Sequence, residues 1–230
     1  MTIKQFLETT KQYIKTVRLW RNPSLDLWKV FPGMEHVQAD FNRLSFPYRM
    51  VNTSPNDLYC ICAMIKFLRP KNIFEFGTHS GMSTYQFAIK SESDALIHTL
   101  ELEDHKFYSR FKNRYVNSDV VSEVGKQFKE SPYKDKIKQL RGDSLHYNFK
   151  SLEATMDLIF VDGNHDRKYV EKDTENAFNM LSKNGVILWH DYHYPDVHIF
   201  LNNLAKTKKL YHINQTDLVL FKNKDLFLNA

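Results

Sequence analysis

Ile73-Phe74-Glu75-Phe76-Gly77-Thr78-His79-Ser80-Gly81-Met82-Ser83 has the pattern of a strand, a tight glycine turn and a helix start. Ile73, Phe74 and Phe76 form the short apolar run of a strand buried on both faces. Glu75 sits inside that run, where a carboxylate is costly without a partner. Gly77 and Gly81 bound a polar loop, and Ser80 is placed to cap a helix beginning at Met82. Met82, Tyr85, Ala88 and Ile89 then recur as a helical stripe. A strand that feeds a helix through such a loop gathers backbone N–H groups and a helix N-terminus around one point.

On either side of it, strand-like and helix-like segments alternate along the chain, with no internal repeat. Ser54-Pro55-Asn56-Asp57 is a helix start, with an N-cap serine, proline at the first position and an acid at the third. Leu58, Ile61, Cys62, Ile65 and Leu68 follow at helical spacing up to Pro70. After the first strand and its helix, residues 95–100 read as a second strand. Residues 104–130 read as helical and basic, in two pieces around Asn117-Ser118-Asp119, and 137–140 as a third strand. Met156–Val161 is an apolar fourth strand, followed by a helix over about 167–182. Asn184-Gly185 turns the chain into a fifth strand at 186–189, and Pro195-Asp196 opens a further helix. Leu210–Ile213 and 218–221, four residues apart, form a hairpin. Strands alternating with helices imply a doubly wound α/β fold with a mostly parallel sheet, here seven-stranded with the hairpin included.

Residues 1–21 suit an amphipathic helix. Residues 22–53 interleave Pro23, Pro32, Gly33 and Pro47 with Trp28, Phe31, Phe41, Phe46 and Tyr48. That composition is an aromatic arm rather than a Gly/Ser linker. It suits packing on the sheet, a lid over a pocket or a homo-oligomeric interface, and 1–53 is not read as an independent domain. Residues 54–230 form the domain proper.

The polar residues fall at the strand ends. The first strand ends in Glu75 and Gly77, the second in Glu101, the third in Asp143, the fourth in Asp162 and the fifth in His190 and Asp191. In an open parallel sheet, ligands bind outside those carboxyl ends. Acids converging there would repel one another unless a ligand or a cation were shared between them.

Composition narrows the function. With 42% hydrophobic and 26% charged residues, the chain is an ordinary globular one. No apolar run approaches the roughly 20 residues of a membrane span. The first residues lack the apolar core of a signal peptide, and the two cysteines, Cys60 and Cys62, lie two apart in a helix where they cannot pair. The expected location is the cytoplasm. The net charge is +5, and the segment from Lys106 to Lys138 holds nine Lys/Arg against four acids. A solvated helical face accounts for it, or attraction to a nucleotide sugar, a phosphorylated lipid or nucleic acid. Nucleic acid is disfavoured, because no recognisable binding module accompanies the charge.

The loop spacing separates ligands. A dinucleotide fold asks for G-x-G-x-x-G. Here the pattern is E-x-G-x-x-x-G, which resembles the first motif of class I S-adenosylmethionine-dependent methyltransferases. Asp157-Leu158-Ile159-Phe160-Val161-Asp162-Gly163-Asn164-His165 and Gly185-Val186-Ile187-Leu188-Trp189-His190-Asp191-Tyr192 are similar to a bacterial branch of that family. The branch includes small-molecule and sugar O-methyltransferases and relatives of cephalosporin hydroxylase. The resemblance covers about 54–222 and implies a Rossmann-like methyltransferase fold with S-adenosylmethionine as cofactor. It places Gly77, Thr78, Ser80 and Gly81 against the methionine end of the cofactor and Glu75 near its amino group. Glu101, with Glu103 as runner-up, falls at the ribose, Asp143 and Ser144 at the adenine amine, and Asp162 at the edge of the site.

Methyl transfer from a sulfonium is an in-line displacement, so positioning supplies much of the catalysis. A hydroxyl acceptor also needs its proton removed by a base or a metal. His165, His190, Asp191 and His193 are the candidates, His190 and Asp191 first. In metal-dependent members, acids after the fourth and fifth strands bind a divalent cation, which points to Asp162 and Asp191 with His190. Tyr192 stands where some members carry Asn and His190 where others carry an acid, a donor set for a softer metal than magnesium or for none. The implied acceptor is a small polar molecule such as a sugar or glycan. Rival readings are a metal-dependent oxygenase or hydrolase on the same fold, a nucleic-acid methyltransferase, and a non-catalytic module. The absence of an Asn/Asp-Pro-Pro-Tyr-type motif speaks against base N-methylation.

Overall fold

The computed structural model describes residues 24–40, 53–102 and 124–223. The expected helix over 1–21, the arm beyond residue 40, most of the basic segment and Glu103 lie outside the described residues.

The chain runs β1 (Ser24–Leu25), α1 (Leu27–Val30), α2 (Pro55–Leu68), β2 (Asn72–Phe76), α3 (Met82–Lys90), β3 (Leu96–Glu101), α4 (Lys126–Lys129) and β4 (Ile137–Arg141). It continues through β5 (Met156–Val161), α5 (Arg167–Met180), β6 (Leu181–Trp189), α6 (Pro195–Leu204), β7 (Leu210–Ile213) and β8 (Val219–Lys222). The strands form one sheet in the order β1-β7-β8-β6-β5-β2-β3-β4. β8 runs antiparallel to both β6 and β7, and the other pairings are parallel. The hairpin and the central parallel strands match the sequence reading.

The run Ile73-Phe74-Glu75-Phe76 is apolar on both faces because both faces are covered. Ile73, Ile97, Leu158, Phe160, Val186 and Leu188 pack beneath α2 and α3. Their neighbours Phe74, Phe76, Ile159, Val161, Ile187 and Trp189 pack on the opposite face with α5 and α6. This period of two, with both faces buried, is why the strands read as continuous hydrophobic runs. Full burial of a side chain such as Phe160 contributes about 1.5–3 kcal/mol.

The helix start at Ser54 is as read: its hydroxyl accepts from the Asp57 N–H at 3.2 Å, and Pro55 opens α2. Three local expectations are corrected. Ser80 does not cap α3. Gly81 is the N-cap, in the left-handed region, and no side chain caps the helix. The α5 helix ends at Met180 and passes directly into β6 rather than through a turn at Asn184-Gly185. Leu181 already pairs with Met156, and the register shifts before Leu158. Gly185 fits this irregularity because a Cβ there would lie 2.6 Å from Leu181 and 2.7 Å from the Met156 carbonyl.

The sheet also has an eighth strand. β1 extends β7 at its edge, with Ser24 opposite His212 and Leu25 opposite Ile213. The following residues are strapped to the domain. Lys222 Nζ donates to the Val30 carbonyl at 2.7 Å and lies over the Phe31 ring. Phe31 is fully buried against Phe67, and Asp40 pairs with Lys90 at 3.0 Å. Residues 24–40 thus belong to the core packing. Among the described residues, no helix is long and apolar enough to cross a membrane.

Candidate active site

β2 is flanked by β3 on one side and β5 on the other, so the direction of winding reverses at its carboxyl end. A crevice opens at such a switch point. Gly77, at φ +90°, crosses it; a Cβ there would lie 2.2 Å from the Asp162 carbonyl oxygen. Only glycine lets the two loops approach this closely. The Gly77–Gly81 loop is held from two sides. The Glu101 carboxylate accepts from the N–H groups of Thr78 at 3.0 Å and His79 at 2.7 Å. Behind it, the Gly125 and Gln127 N–H groups donate to the carbonyls of His79 and Ser80 at 2.8 and 3.0 Å. Phe128 covers Gly81, where a Cβ would lie 2.6 Å from its ring.

Beneath the loop, Glu75 is fully buried. Its Oε2 accepts from the hydroxyls of Thr84 and Thr99, and Thr99 in turn bonds Thr78 at 2.7 Å. Oε1 accepts no hydrogen bond. Burial pushes the carboxyl up to about 8, against the hydroxyl bonds from Thr84, Thr99 and Ser83 that favour the ionised form. Glu75 is therefore a buried acid held in its neutral form, with one oxygen free of hydrogen bonds.

On the other side of the crevice, the tips of β5 and β6 bring charges together. His190 is almost fully buried. Its Nδ1 lies 3.0 Å from Asp162 and 3.4 Å from Asp191, and its Nε2 lies 3.2 Å from Asp57. Burial alone would depress this imidazolium; Asp162, Asp191 and Asp57 outweigh it and hold its pKa well above the ordinary range. His190 is a fixed cation in a ring of carboxylates. Asp191 adopts a positive φ of 56°, the kind of backbone strain that gathers at functional sites. Its Oδ2 lies 2.6 Å from His165 Nε2, close but not aligned as a hydrogen bond. Burial would raise the Asp191 carboxyl, yet His165 and His190 hold it well below the usual carboxylate range. His165 stacks on the exposed ring of Tyr194 at 4.2 Å.

Asp162, His165 and Asp191 each offer a ligand atom within 4.8 Å of the others. His190, by contrast, has both ring nitrogens engaged by carboxylates, and His165 stands where the sequence reading put His190. Tyr192 points into the core, where its hydroxyl donates to Asn202 at 3.2 Å. His193 pairs with Asp217 at 3.0 Å, which raises its pKa. Asp143 and Ser144 lie across the crevice at the end of β4, with Asp143 Oδ1 accepting from the Leu145 N–H at 3.0 Å.

Asp57 is the residue that sequence reasoning missed. It is 1% exposed and accepts from Ser54 at 2.5 Å and from the Asp217 N–H at 3.0 Å. It is legible as a helix-start acid, but nothing local announces its partner, His190. Its other edge faces a polar cavity of about 410 Å³ lined also by Ser54, His212, Asn214, Thr216 and Asp217.

Residues 74–192, more than half of the chain, match the family model of a methyltransferase domain. No curated protein matches the sequence. Among solved structures, the SAH-bound methyltransferase PaMTH1 of Podospora anserina is similar over 98% of this chain and 97% of its own, at 19% identity and a TM-score of 0.58. TomG of Streptomyces achromogenes, an O-methyltransferase involved in tomaymycin synthesis solved with SAM, is similar over 97% of this chain and all of its own, at 13% identity and 0.54. A methyltransferase from Geobacter sulfurreducens covers 75% of this chain and 80% of its own, at 13% and 0.54. At these identities the likeness is one of fold.

Proposed function

Because the chain belongs to the class I S-adenosylmethionine-dependent methyltransferases, we propose that it methylates an oxygen of a small polar acceptor, with His165 as the base. The observation that carries this reading is the 2.6 Å contact of His165 Nε2 with Asp191.

The residues present fit the cofactor. Gly77 lets the loop lie against Asp162, and Glu75 keeps one buried oxygen without a partner for an ammonium. Glu101 anchors the loop, its carboxylate accepting from the Thr78, His79 and Leu102 N–H groups; in this reading the ribose lies by Glu101 and the adenine by Asp143 and Ser144. Bound S-adenosylmethionine supplies an electrophilic methyl group on its sulfonium. The chain's own residues do the rest. The Asp191 carboxylate beside Nε2 of His165 favours the proton on that nitrogen, which leaves Nδ1 as the proton acceptor. His165 Nδ1 takes the hydroxyl proton as the acceptor oxygen bonds to the methyl carbon and the sulfur–carbon bond breaks. Asp191 stabilises the imidazolium that results, and His190 keeps Asp191 ionised and in place.

The Streptomyces neighbour is an O-methyltransferase, which favours oxygen over nitrogen, and a sugar or glycan is among the candidate acceptors. A second reading has one observation in its favour. Asp162, His165 and Asp191 are close enough to hold a divalent cation. Two carboxylates and an imidazole suit manganese, iron or zinc better than magnesium, and such a cation would lower the acidity barrier of the bound hydroxyl.

The test is methyl transfer from labelled S-adenosylmethionine to a panel of small hydroxylated acceptors, run with wild type and His165→Ala and paired with SAH calorimetry. The reading expects SAH binding in both proteins and transfer in the wild type alone. Equal transfer rates in the two would overturn the base assignment.

A further inference from the structure

We propose that Tyr194 is a positioning residue for His165: its ring lies on the face of the imidazole and, with Asp191 at the edge, holds Nδ1 toward the acceptor hydroxyl. The proposal rests on the reading of His165 as the base and adds the group that fixes the plane of that base.

Tyr194 stands where the helix it begins has no use for it. It is the N-cap of α6, with the extended backbone that a residue before proline adopts, and its side chain makes no capping hydrogen bond. Short polar side chains suit that position because they reach the N–H groups of the first turn; a tyrosine does not. Nor does Tyr194 serve the core, since it is 42% exposed. What it meets is His165. The two rings stack with centroids 4.2 Å apart and planes 10° from parallel.

One turn supplies both restraints. The Tyr194 N–H donates to the Asp191 carbonyl at 2.8 Å, closing a four-residue turn. Asp191 enters that turn at a strained φ of 56°. The side chains of the turn then divide. Tyr192 goes to the core, where it bonds Asn202, and His193 pairs with Asp217 at 3.0 Å. Asp191 reaches the edge of the imidazole, 2.6 Å from Nε2, and Tyr194 reaches its face. The strained residue and the ill-suited N-cap thus converge on one ring.

The loop that carries His165 is fixed to meet them. The Asp166 N–H donates to Asn164 Oδ1 at 2.7 Å, bracketing His165. The Arg167 N–H donates to Asp196 Oδ2 at 3.3 Å, which ties the start of α5 to the start of α6. Tyr194 is itself supported: the His193 ring lies 4.6 Å from it, and His193 is anchored on Asp217.

The consequence is geometric. The last torsion of a histidine is broad, so contact at one edge leaves the ring free to pivot about that contact. A plane laid on its face removes the pivot. The hydroxyl loses its proton as its oxygen bonds to the methyl carbon, so Nδ1 must be aligned with the hydroxyl while the oxygen is aligned with the methyl group.

The experiment has two arms, both on the full chain. The first is NMR of carbon-13-labelled histidine with SAH bound, the His165 signals being assigned by their loss in His165→Ala. A stacked tyrosine shields the imidazole protons. Wild type and Tyr194→Phe should show one sharp, upfield-shifted set for His165; in Tyr194→Ala the shift should be lost. Unmoved signals in Tyr194→Ala overturn the proposal without reference to any acceptor. The second arm measures methyl transfer from labelled S-adenosylmethionine to each monosaccharide or small phenol that wild type methylates. Tyr194→Ala should lower kcat about tenfold, the worth of one aromatic pair, with KM and SAH affinity within about twofold. Tyr194→Phe should restore kcat. In a His165→Ala background the same alanine should change nothing further, because Tyr194 acts only through His165. A merely structural role would weaken SAH binding as much as kcat; that result overturns the proposal, as do equal losses in the two backgrounds. If Tyr194→Ala transfers as wild type does while His165→Ala does not, the proposal falls and the base reading stands. If His165→Ala transfers as wild type does, both fall. Should Tyr194→Ala not fold, Tyr194→Leu, which keeps bulk without an aromatic face, carries both arms.

Discussion

Replacing Glu75 by glutamine tests the reading of the crevice floor through stability alone. Glu75 is fully buried, with an ordinary value of 4.5 raised to about 8 in the fold. The unfolded chain releases this proton near 4.5, whereas the folded chain keeps it until about 8. Between those values the unfolded state binds fewer protons, so stability falls as pH rises, by about 1.4 kcal/mol per unit. The contribution is intact below the unfolded value and is lost progressively up to the folded one. From about pH 5 to about pH 7.5 the loss is about 3 kcal/mol. Glutamine cannot ionise and does not share it. Urea unfolding of both proteins, extrapolated to water at the two pH values, should therefore show the Glu75→Gln variant gaining about 3 kcal/mol on wild type as the pH is raised. Using the difference between the two proteins removes the histidines and other acids they share. A difference flat with pH, or one in which wild type gains, would mean that Glu75 is ionised in the fold, and the account of a neutral acid beneath the loop would be wrong.

Further outcomes follow from other parts of the site. His165→Ala should lower the rate of methyl transfer by about 10²–10⁴-fold and leave SAH affinity within about twofold, as read by calorimetry beside the kinetics. Asp57→Ala leaves His190 short of one buried carboxylate and should cost about 3–5 kcal/mol in denaturant unfolding; a loss under about 1 kcal/mol would show the pair to be superficial. Gly77→Ala, with its Cβ driven onto the Asp162 carbonyl, must displace the loop and should weaken SAH by at least about tenfold. Methyl transfer should survive a chelator; activity lost to it and restored by manganese in preference to magnesium would move the reading to the metal held by Asp162, His165 and Asp191.

What was legible in the sequence is what depends on near neighbours. The helix start at Ser54 is a capping pattern that closes within four residues, and α2 begins there. The strand at Ile73 is apolar on both faces because both are covered, and continuous hydrophobic runs report that directly. Strand ends, and hence Glu75, Glu101, Asp143, Asp162 and Asp191, followed from the alternation of elements. The rest depends on contacts far apart in the chain. β1 is two residues long, too short for any periodicity, and exists only because it meets β7, with Ser24 bonding His212 at a separation of 188 residues. Gly81 caps α3 in place of Ser80 because Phe128 fills the space where a side chain would go. The buried polar residues of α5, Tyr169, Asp173 and Asn176, depend on contacts of the same distant kind, Asn176 meeting the Ser144 carbonyl 32 residues away.

His190 shows why the candidate base could not be assigned from residue types alone. Three histidines, His165, His190 and His193, follow the strand tips within reach of Asp191; His193 is taken up by Asp217, and either of the other two could have been the proton acceptor. The fold separates them by charge. His190 is nearly fully buried and meets three carboxylates, one of them Asp57 from 133 residues away. A histidine so surrounded cannot shuttle a proton near neutral pH, because giving it up would leave buried acids unpaired. His165 is partly exposed and meets one, so it keeps a nitrogen for the acceptor. The same Asp57 that begins α2 thus fixes the charge of His190, and His190 in turn keeps Asp191 ionised to orient His165. Removing Asp57 should then reach the chemistry through two histidines, lowering the transfer rate more than it lowers SAH affinity, even though Asp57 touches neither the cofactor site nor His165.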